Sequence, residues 1–341
     1  MQHSLDKWLV GNTINNKIAH IFHLDWDAES PMPNQQAVWL DDPISNIKFK
    51  KEITWRTLKS SVTLTSNYIP NNGFSNTNKN PNIPVLKSNL QKCVRRNLTT
   101  KALQTAISMI ELDFLEFIRR LSIIMVEDCI LHESFPTLVW MIASYPEWQP
   151  NQNHINWLLG IVKYLSDLDS RDLVEKLDFN FMAKVQEINK LELNSKSLIY
   201  SLYFRVSYGG LKGDMKMLEY FTELWLARLQ SNSKYNSYLY TKIQPITKLI
   251  NPIPKREIEL SSIDFHCYPK VLSLLYQKFN KDKEDIKNSI WFHSSRKTNK
   301  SILDGKDDYD NRYMELWRLI KRDFKIMAYK YRELLIYTGI D

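Results

Sequence analysis

Residues 80–145, NPNIPVLKSNLQKCVRRNLTTKALQTAISMIELDFLEFIRRLSIIMVEDCILHESFPTLVWMIASY, decide the fold class. Apolar residues recur there at helical spacing, and no phosphate-cradling motif interrupts them. Thr99 or Thr100 can cap KALQTAISMIE, which sets Leu103, Ala106, Ile107 and Ile110 on one face. Asp113 can cap FLEFIRRLSIIMVED, where Phe114, Phe117, Ile118, Leu121, Ile124 and Met125 do the same. Two adjacent amphipathic helices are expected. NHINWLLGIVKYLSDL repeats the pattern through Trp157, Leu158, Ile161, Val162, Leu165 and Leu168, and KSLIYSLYFRV and MKMLEYFTELWLARL carry it to Leu229. No repeat of roughly 20–50 residues recurs, so a solenoid is not expected.

Upstream the pattern changes character. KIAHIFHLDW, QAVWL, IKFKKEITW and SVTL, between Lys17 and Leu64, are short β-branched and aromatic runs near period two and predict a small strand-containing lobe. The stretch SNYIPNNGFSNTNKNPNIP is dense in Asn, Pro and Ser and reads as a linker. Downstream, SSRKTNKSILDGKDDYDNR is polar and charged and reads as a flexible loop, followed by YMELWRLIKRDFKIMAYKYRELLIY. That last segment sets Leu316, Leu319, Ile320, Phe324, Met327, Tyr331 and Leu334 on an apolar stripe. Arg318, Lys321, Arg322, Lys325, Lys330 and Arg332 crowd its other faces. The fold class expected is therefore mainly α, a helical bundle with a small N-terminal strand-containing lobe. Its organisation reads as a lobe at 1–65, a linker at 66–84, a helical domain at 85–293, a flexible loop at 294–312 and a basic amphipathic helix at 313–341.

Forty-six Lys and Arg against thirty-eight Asp and Glu give a net charge of +8, which biases the surface toward polyanions such as nucleic acid or anionic lipid. Lys-, Asn- and Ile-rich usage also follows from AT-rich coding, so the bias is mild. Cys93, Cys129 and Cys267 are odd in number and far apart, which suits buried thiols in a reducing, intracellular compartment, with cytoplasm and nucleus both open. No run of about 18 apolar residues predicts a membrane span. MQHSLDKWLVGN has no charged segment followed by an apolar run, so secretion is not expected.

Lys92, Arg95 and Arg96 fall at i, i+3 and i+4, with Lys87 across the preceding turn, a pattern that can neutralise successive phosphates or form a solvated face. Arg119 and Arg120 precede Glu127 and Asp128 by about two helical turns, a pattern that reads more readily as ion pairs and a cap than as a phosphate or metal bracket. His20, His23, Asp25 and Asp27 are metal-compatible types, but on a strand His20 points away from the other three. His266, Cys267 and His293 offer three zinc ligands without a fourth. SYGGLKGD lacks the Gly-Lys-Ser/Thr ending of a P-loop and reads as a helix-to-helix turn, Gly209 or Gly210 ending one helix and Asp214 capping the next. No catalytic residue, metal site or cofactor is assigned, because no nucleophile stands beside a base at a spacing that a reaction requires.

LQKCVRR followed by KALQTA, and then FIRRLSIIMVEDC, resembles the C-terminal helical region of the bacterial replication-associated recombination ATPase family and its Werner-helicase-interacting relatives in eukaryotes. The likeness runs from Leu86 to Ser134, roughly a seventh of the chain, and rests on Lys92, Arg95, Arg96, Arg119, Arg120, Glu127 and Asp128. It implies a clamp-loader-like collar, the part through which such ATPases assemble into rings. Neither a P-loop nor an acidic Walker B strand precedes Asn80, so scaffold and oligomer roles carry over and the motor does not. SYGGLKGDMKML and SSIDFHCYPKVL are also similar to stretches in uncharacterised proteins of large DNA viruses and phages. The function expected is a non-catalytic accessory role in DNA replication or recombination. Phosphate contacts would come from Lys87, Lys92, Arg95 and Arg96, and interactions from Arg119, Arg120, Glu127, Asp128, Arg318, Lys321, Arg322 and Lys325. Its partners would be DNA, replication proteins and further copies of the chain, with no membrane. The alternatives are a protein-interaction scaffold without nucleic acid and, behind it, a metal-dependent nucleic-acid enzyme.

Overall fold

The period-two runs form strands. In the computed structural model, which describes residues 20–26, 37–56, 58, 60–70, 83–172, 185–210, 212–231, 233–263, 269–303 and 313–337, they are β1 (His20–Leu24), β2 (Ala37–Leu40), β3 (Phe49–Trp55) and β4 (Ser60–Ser66). Helices then dominate: α1 (Ile83–Arg95), α2 (Thr99–Leu112), α3 (Phe114–Glu127), α4 (Phe135–Ser144) and α5 (Gln152–Asp167). After the two-residue β5 (Ser170–Arg171) come α6 (Val185–Ile188), α7 (Leu193–Val206), α8 (Lys212–Gln230) and α9 (Asn236–Leu239). The C-terminal part holds α10 (Pro269–Phe279), α11 (Lys283–Ile290), the short β6 (Ser301–Ile302) and α12 (Met314–Tyr337). The fold is mainly α with a strand-containing N-terminal part, as the sequence predicts. Among the described residues no helix is long and apolar enough to cross a membrane.

Two units share the chain, one built from 1–75, 125–155 and 174–244, the other from 76–124, 156–173 and 245–341. In the first, the four strands run in the order β2-β1-β4-β3, with β1 parallel to β4 and the other pairs antiparallel. Strand β3 alternates as its sequence does, Phe49 and Trp55 inward and Lys50 and Glu52 outward. Helices α4 and α7 cover the sheet's apolar residues. Phe22 stacks on Trp39 at 4.3 Å, Phe204 of α7 meets Trp39 and Trp55 edge-on at 5.1 and 5.0 Å, and the Trp140 indole of α4 donates to the Phe22 carbonyl at 2.9 Å.

An exposed sheet edge invites pairing with other chains, and here helix hydroxyls close one edge. The Ala37 N–H donates to Thr137 Oγ1 (3.0 Å), the Trp39 N–H to Ser197 Oγ (2.9 Å) and the Trp39 indole to Ser201 Oγ (3.0 Å). The strands therefore share a core with downstream helices, through contacts that span roughly 90 to 165 residues, where the sequence reading expects a lobe closed within 1–65. Period-two patterning marks the face that needs cover without naming what covers it.

In the second unit α1 and α2 form a hairpin that turns at Asn97, whose left-handed φ of 56° ends α1. Helix α2 starts at Thr99, but its hydroxyl donates to Asp167 (2.6 Å) and caps nothing. Helix α2 is also rotated from the expected face: Ala102, Thr105, Ala106 and Met109 are buried, while Leu103 and Ile107 are half-buried. Helix α3 is as read, since Asp113 Oδ1 accepts the Glu116 N–H (3.0 Å) and Phe114, Phe117, Ile118 and Leu121 are buried. Buried Asn89 ties the 259–262 segment to the hairpin, donating to Thr105 Oγ1 (2.8 Å) and accepting from Glu259 N–H (2.9 Å) and Ser262 Oγ (2.7 Å).

Residues 294–303, expected in a flexible loop, are anchored at Ser294, Ser295 and Lys300, which are buried, while Lys297, Asn299 and Ser301 stay exposed. Lys300 is 2% exposed, and its ammonium donates to the carbonyls of Leu165 (2.8 Å) and Leu168 at the C-terminal end of α5, where orphan carbonyls favour a cation. The rest of that segment, 304–312, and most of the expected linker, 71–82, lie outside the described residues. The glycine turn is as read, with Gly209 at φ 69° after α7, although α8 already starts at Lys212 and Asp214 sits in its first turn.

Candidate functional site

The cationic turn of α1 faces inward. Lys92 is 5% exposed and donates to Ser88 Oγ (3.0 Å) and the Ser261 carbonyl. Arg95 donates to the Ser295 carbonyl (2.5 Å), and Arg96 donates to Ser261 Oγ (2.6 Å) and the Ser294 carbonyl. Ser261 lies in a 3₁₀ turn (Leu260–Ser262), and Ser294 and Ser295 end a π turn (Trp291–Ser295); short turns leave carbonyls without internal donors. The i, i+3, i+4 spacing does put the three cations on one face, but that face meets main-chain carbonyls where the sequence reading puts phosphates. Lys92→Met, which keeps the aliphatic stem, is expected to cost about 2 kcal/mol in urea denaturation and to leave nucleic-acid affinity unchanged.

The other expected residues separate in the same way. Lys87 pairs with Glu116 at 2.6 Å, Arg119 pairs with Glu116 at 2.9 Å, and Arg120 donates to Gln91 at 3.1 Å. Burial of Glu116 opposes ionisation, but the Lys87 hydrogen bond and the charges of Lys87, Arg119 and Arg120 outweigh it and hold the carboxyl below its usual range. Glu127 is half-buried and Asp128 is 3% exposed, so neither offers a carboxylate freely to solvent.

A cleft of about 650 Å³ in the second unit gathers the cations that remain. Its lining comes from the α1–α2 corner with Arg96, Leu98 and Lys101, from the 256–261 segment with Arg256, Glu257 and Glu259, and from Lys297 and Asn299. Helix α12 adds Trp317, Lys321, Lys325 and Tyr329. The helix is placed by its apolar residues: Ile320, Phe324 and Ala328, at i, i+4 and i+8, enter a core with Val271, Leu275, Ile286 and Ile290. Lys321 and Lys325, one position further round at 100° per residue, come to the cleft. Trp317 stacks on His293 at 5.5 Å and 16° within the lining. Leu319, expected on the apolar stripe, is 49% exposed, while Tyr331 and Leu334 have side chains outside the described residues.

Not all of these charges are available to a ligand. Lys101 pairs with Glu259 at 2.5 Å, and Arg96 holds the turns described above. Burial lowers the Arg96 guanidinium from its ordinary value, with Glu259 acting in the opposite direction and Arg95 in the same one. Among the described residues, no hydrogen bond or ion pair engages the side chains of Arg256, Lys297, Lys321 and Lys325. Arg318 and Arg322 are exposed on α12 and extend the positive surface beyond the cleft.

Among the described residues no three His, Cys, Asp or Glu side chains come together at a distance suited to a metal ion. His23 is buried against Thr65 Oγ1 (2.9 Å), and Asp27, His266 and Cys267 lie outside the described residues. Burial pushes the Cys93 thiol up to about 12, so it is a packed side chain and not a nucleophile at neutral pH. Of the expected residues the structure therefore brings Arg96, Lys321 and Lys325 to one site and joins them with Arg256, Lys297 and Glu257, which sequence reading passes over. The available signal was the basic character of PKRE and SRKTNK, and nothing local tells such a pair of turns from any other solvated loop. No family model, curated protein or solved structure matches the chain.

Proposed function

We propose that this protein is a non-catalytic nucleic-acid-binding accessory protein, of DNA replication or recombination as the collar-like resemblance implies, that holds a phosphate backbone in the α12 cleft. The observation that carries this reading is the convergence of Arg256, Lys297, Lys321 and Lys325 on one concavity with no protein partner among the described residues. Cations left without carboxylates at a concave surface raise the local concentration of anions and speed their capture. Continuation of the charge through Arg318 and Arg322 favours a chain-like polyanion over a compact one. The overall charge of +8 acts in the same direction. Further copies of the chain and replication proteins are the partners that the resemblance adds to this proposal.

Fluorescence anisotropy with a labelled single-stranded DNA should show affinity falling with salt, with a slope of log K against log salt of about −3 for four phosphate contacts. No binding at about 50 mM salt would remove the proposal. A second reading, an acidic protein segment docked on α12, draws on Leu319 and Ile326, exposed at 49% and 48% on the same helix. It requires a partner captured through residues after 312 and no affinity for DNA.

A further inference from the structure

We infer that the cleft takes a single strand rather than a duplex, with one base turned inward onto the Glu257 carboxylate and guanine the preferred base; this rests on the nucleic-acid reading above. The lining is not uniformly positive. Lys321 and Lys325 stand one helical turn apart on α12, about 6 Å along its axis. The 256–261 segment contributes, besides Arg256, the carboxylates of Glu257 and Glu259. Lys101 neutralises Glu259, whereas no hydrogen bond or ion pair engages the Glu257 carboxylate among the described residues. A phosphate is repelled there, so a bound strand runs along the α12 lysines and presents something other than phosphate to Glu257.

A carboxylate only accepts hydrogen bonds, through two oxygens side by side. The Watson–Crick edge of guanine offers an N1–H and an N2 amino group side by side, whereas cytosine and adenine offer one amino group and thymine a single N–H flanked by two carbonyls. That edge is hidden in a duplex and open in a single strand. The volume suits a base: about 650 Å³ falls within the roughly 300–1,000 Å³ range of pockets that take small molecules, enough for a base and its sugar. The lining also supplies aromatic surface for a base, through half-buried Trp317 and through Tyr329, the latter 52% exposed.

The test compares labelled dT12, the same oligonucleotide with one central guanine, the same with one central cytosine, and a duplex of equal length. The guanine oligonucleotide is expected to bind about tenfold more tightly than dT12, the cytosine one to fall between them, and the duplex to be weakest. Glu257→Gln should bring the guanine oligonucleotide down to the level of dT12. Equal affinity for guanine and thymine in the wild-type protein, or a guanine preference that survives Glu257→Gln, overturns the base contact and leaves backbone binding standing. A duplex bound as tightly as the single strands overturns the strand preference alone. If none of the four binds, the proposed function fails first and this inference with it.

Discussion

Reversing both α12 lysines, Lys321→Glu with Lys325→Glu, is expected to lower single-stranded DNA affinity at low salt by about 100- to 1,000-fold, some 3–4 kcal/mol. Two phosphate contacts disappear and two repulsions replace them. The salt slope should flatten from about −3 to about −1.5, because roughly 0.7 counterion is released per phosphate neutralised on a single strand. Stability should change by no more than about 0.5 kcal/mol, since both side chains are exposed and neither is paired among the described residues. The contrast with Lys92→Met separates the two kinds of cation, one changing binding without folding and the other folding without binding. Wild-type affinity in the double variant would mean that DNA, if bound, goes elsewhere on the surface.

Acid is expected to destabilise the first unit strongly. Burial pushes the His132 imidazole down to about 4, against a Thr241 hydrogen bond that acts upward, and pushes His154 down to about 3. His132 is neutral in its network, accepting from the Ser134 N–H at Nδ1 (3.1 Å) and facing the Thr241 carbonyl through Nε2 (2.6 Å). His154 lies against Trp26 at 3.8 Å and edge-on to Trp148 at 4.8 Å, with its Nε2 buried and without a partner among the described residues. The unfolded chain protonates both near pH 6.5, while the folded chain resists until about 4 and 3. Stability is therefore full above pH 6.5 and falls as pH drops through the interval between the unfolded and folded values. By pH 5 the loss is about 2 kcal/mol per histidine, roughly 4 together. His20 and His23, also lowered mainly by burial, add in the same direction. Urea denaturation at pH 7, 6 and 5 measures it, and His154→Phe should remove about half of the slope. An unchanged midpoint between pH 7 and 5 would show that these imidazoles are solvated.

Helix α3 was legible because its periodicity, cap and burial all rest on neighbours within one or two turns. The same local logic located β1 to β4 and the Gly209 turn. It failed at α2, where Ala102 and Thr105 are buried in place of Leu103 and Ile107, because close packing against α1 admits the smaller side chains. It failed again at Lys300, whose buried ammonium follows from the position of the α5 carbonyls, 132 and 135 residues away.

The cleft shows where the divide lies. Local order along the chain settles which segments become helix or strand, and it settles that Arg318, Lys321, Arg322 and Lys325 stand outside an apolar stripe, since turn geometry depends on residues a few positions apart. Nothing so local distinguishes the cations of α1 from those of α12. Lys92, Arg95 and Arg96 meet carbonyls of turns more than 160 residues downstream, whereas Arg256, Lys297, Lys321 and Lys325 meet solvent around a concavity. A charge acts as structure or as a binding group according to what long-range packing sets opposite it, and only the assembled unit supplies that opposite side.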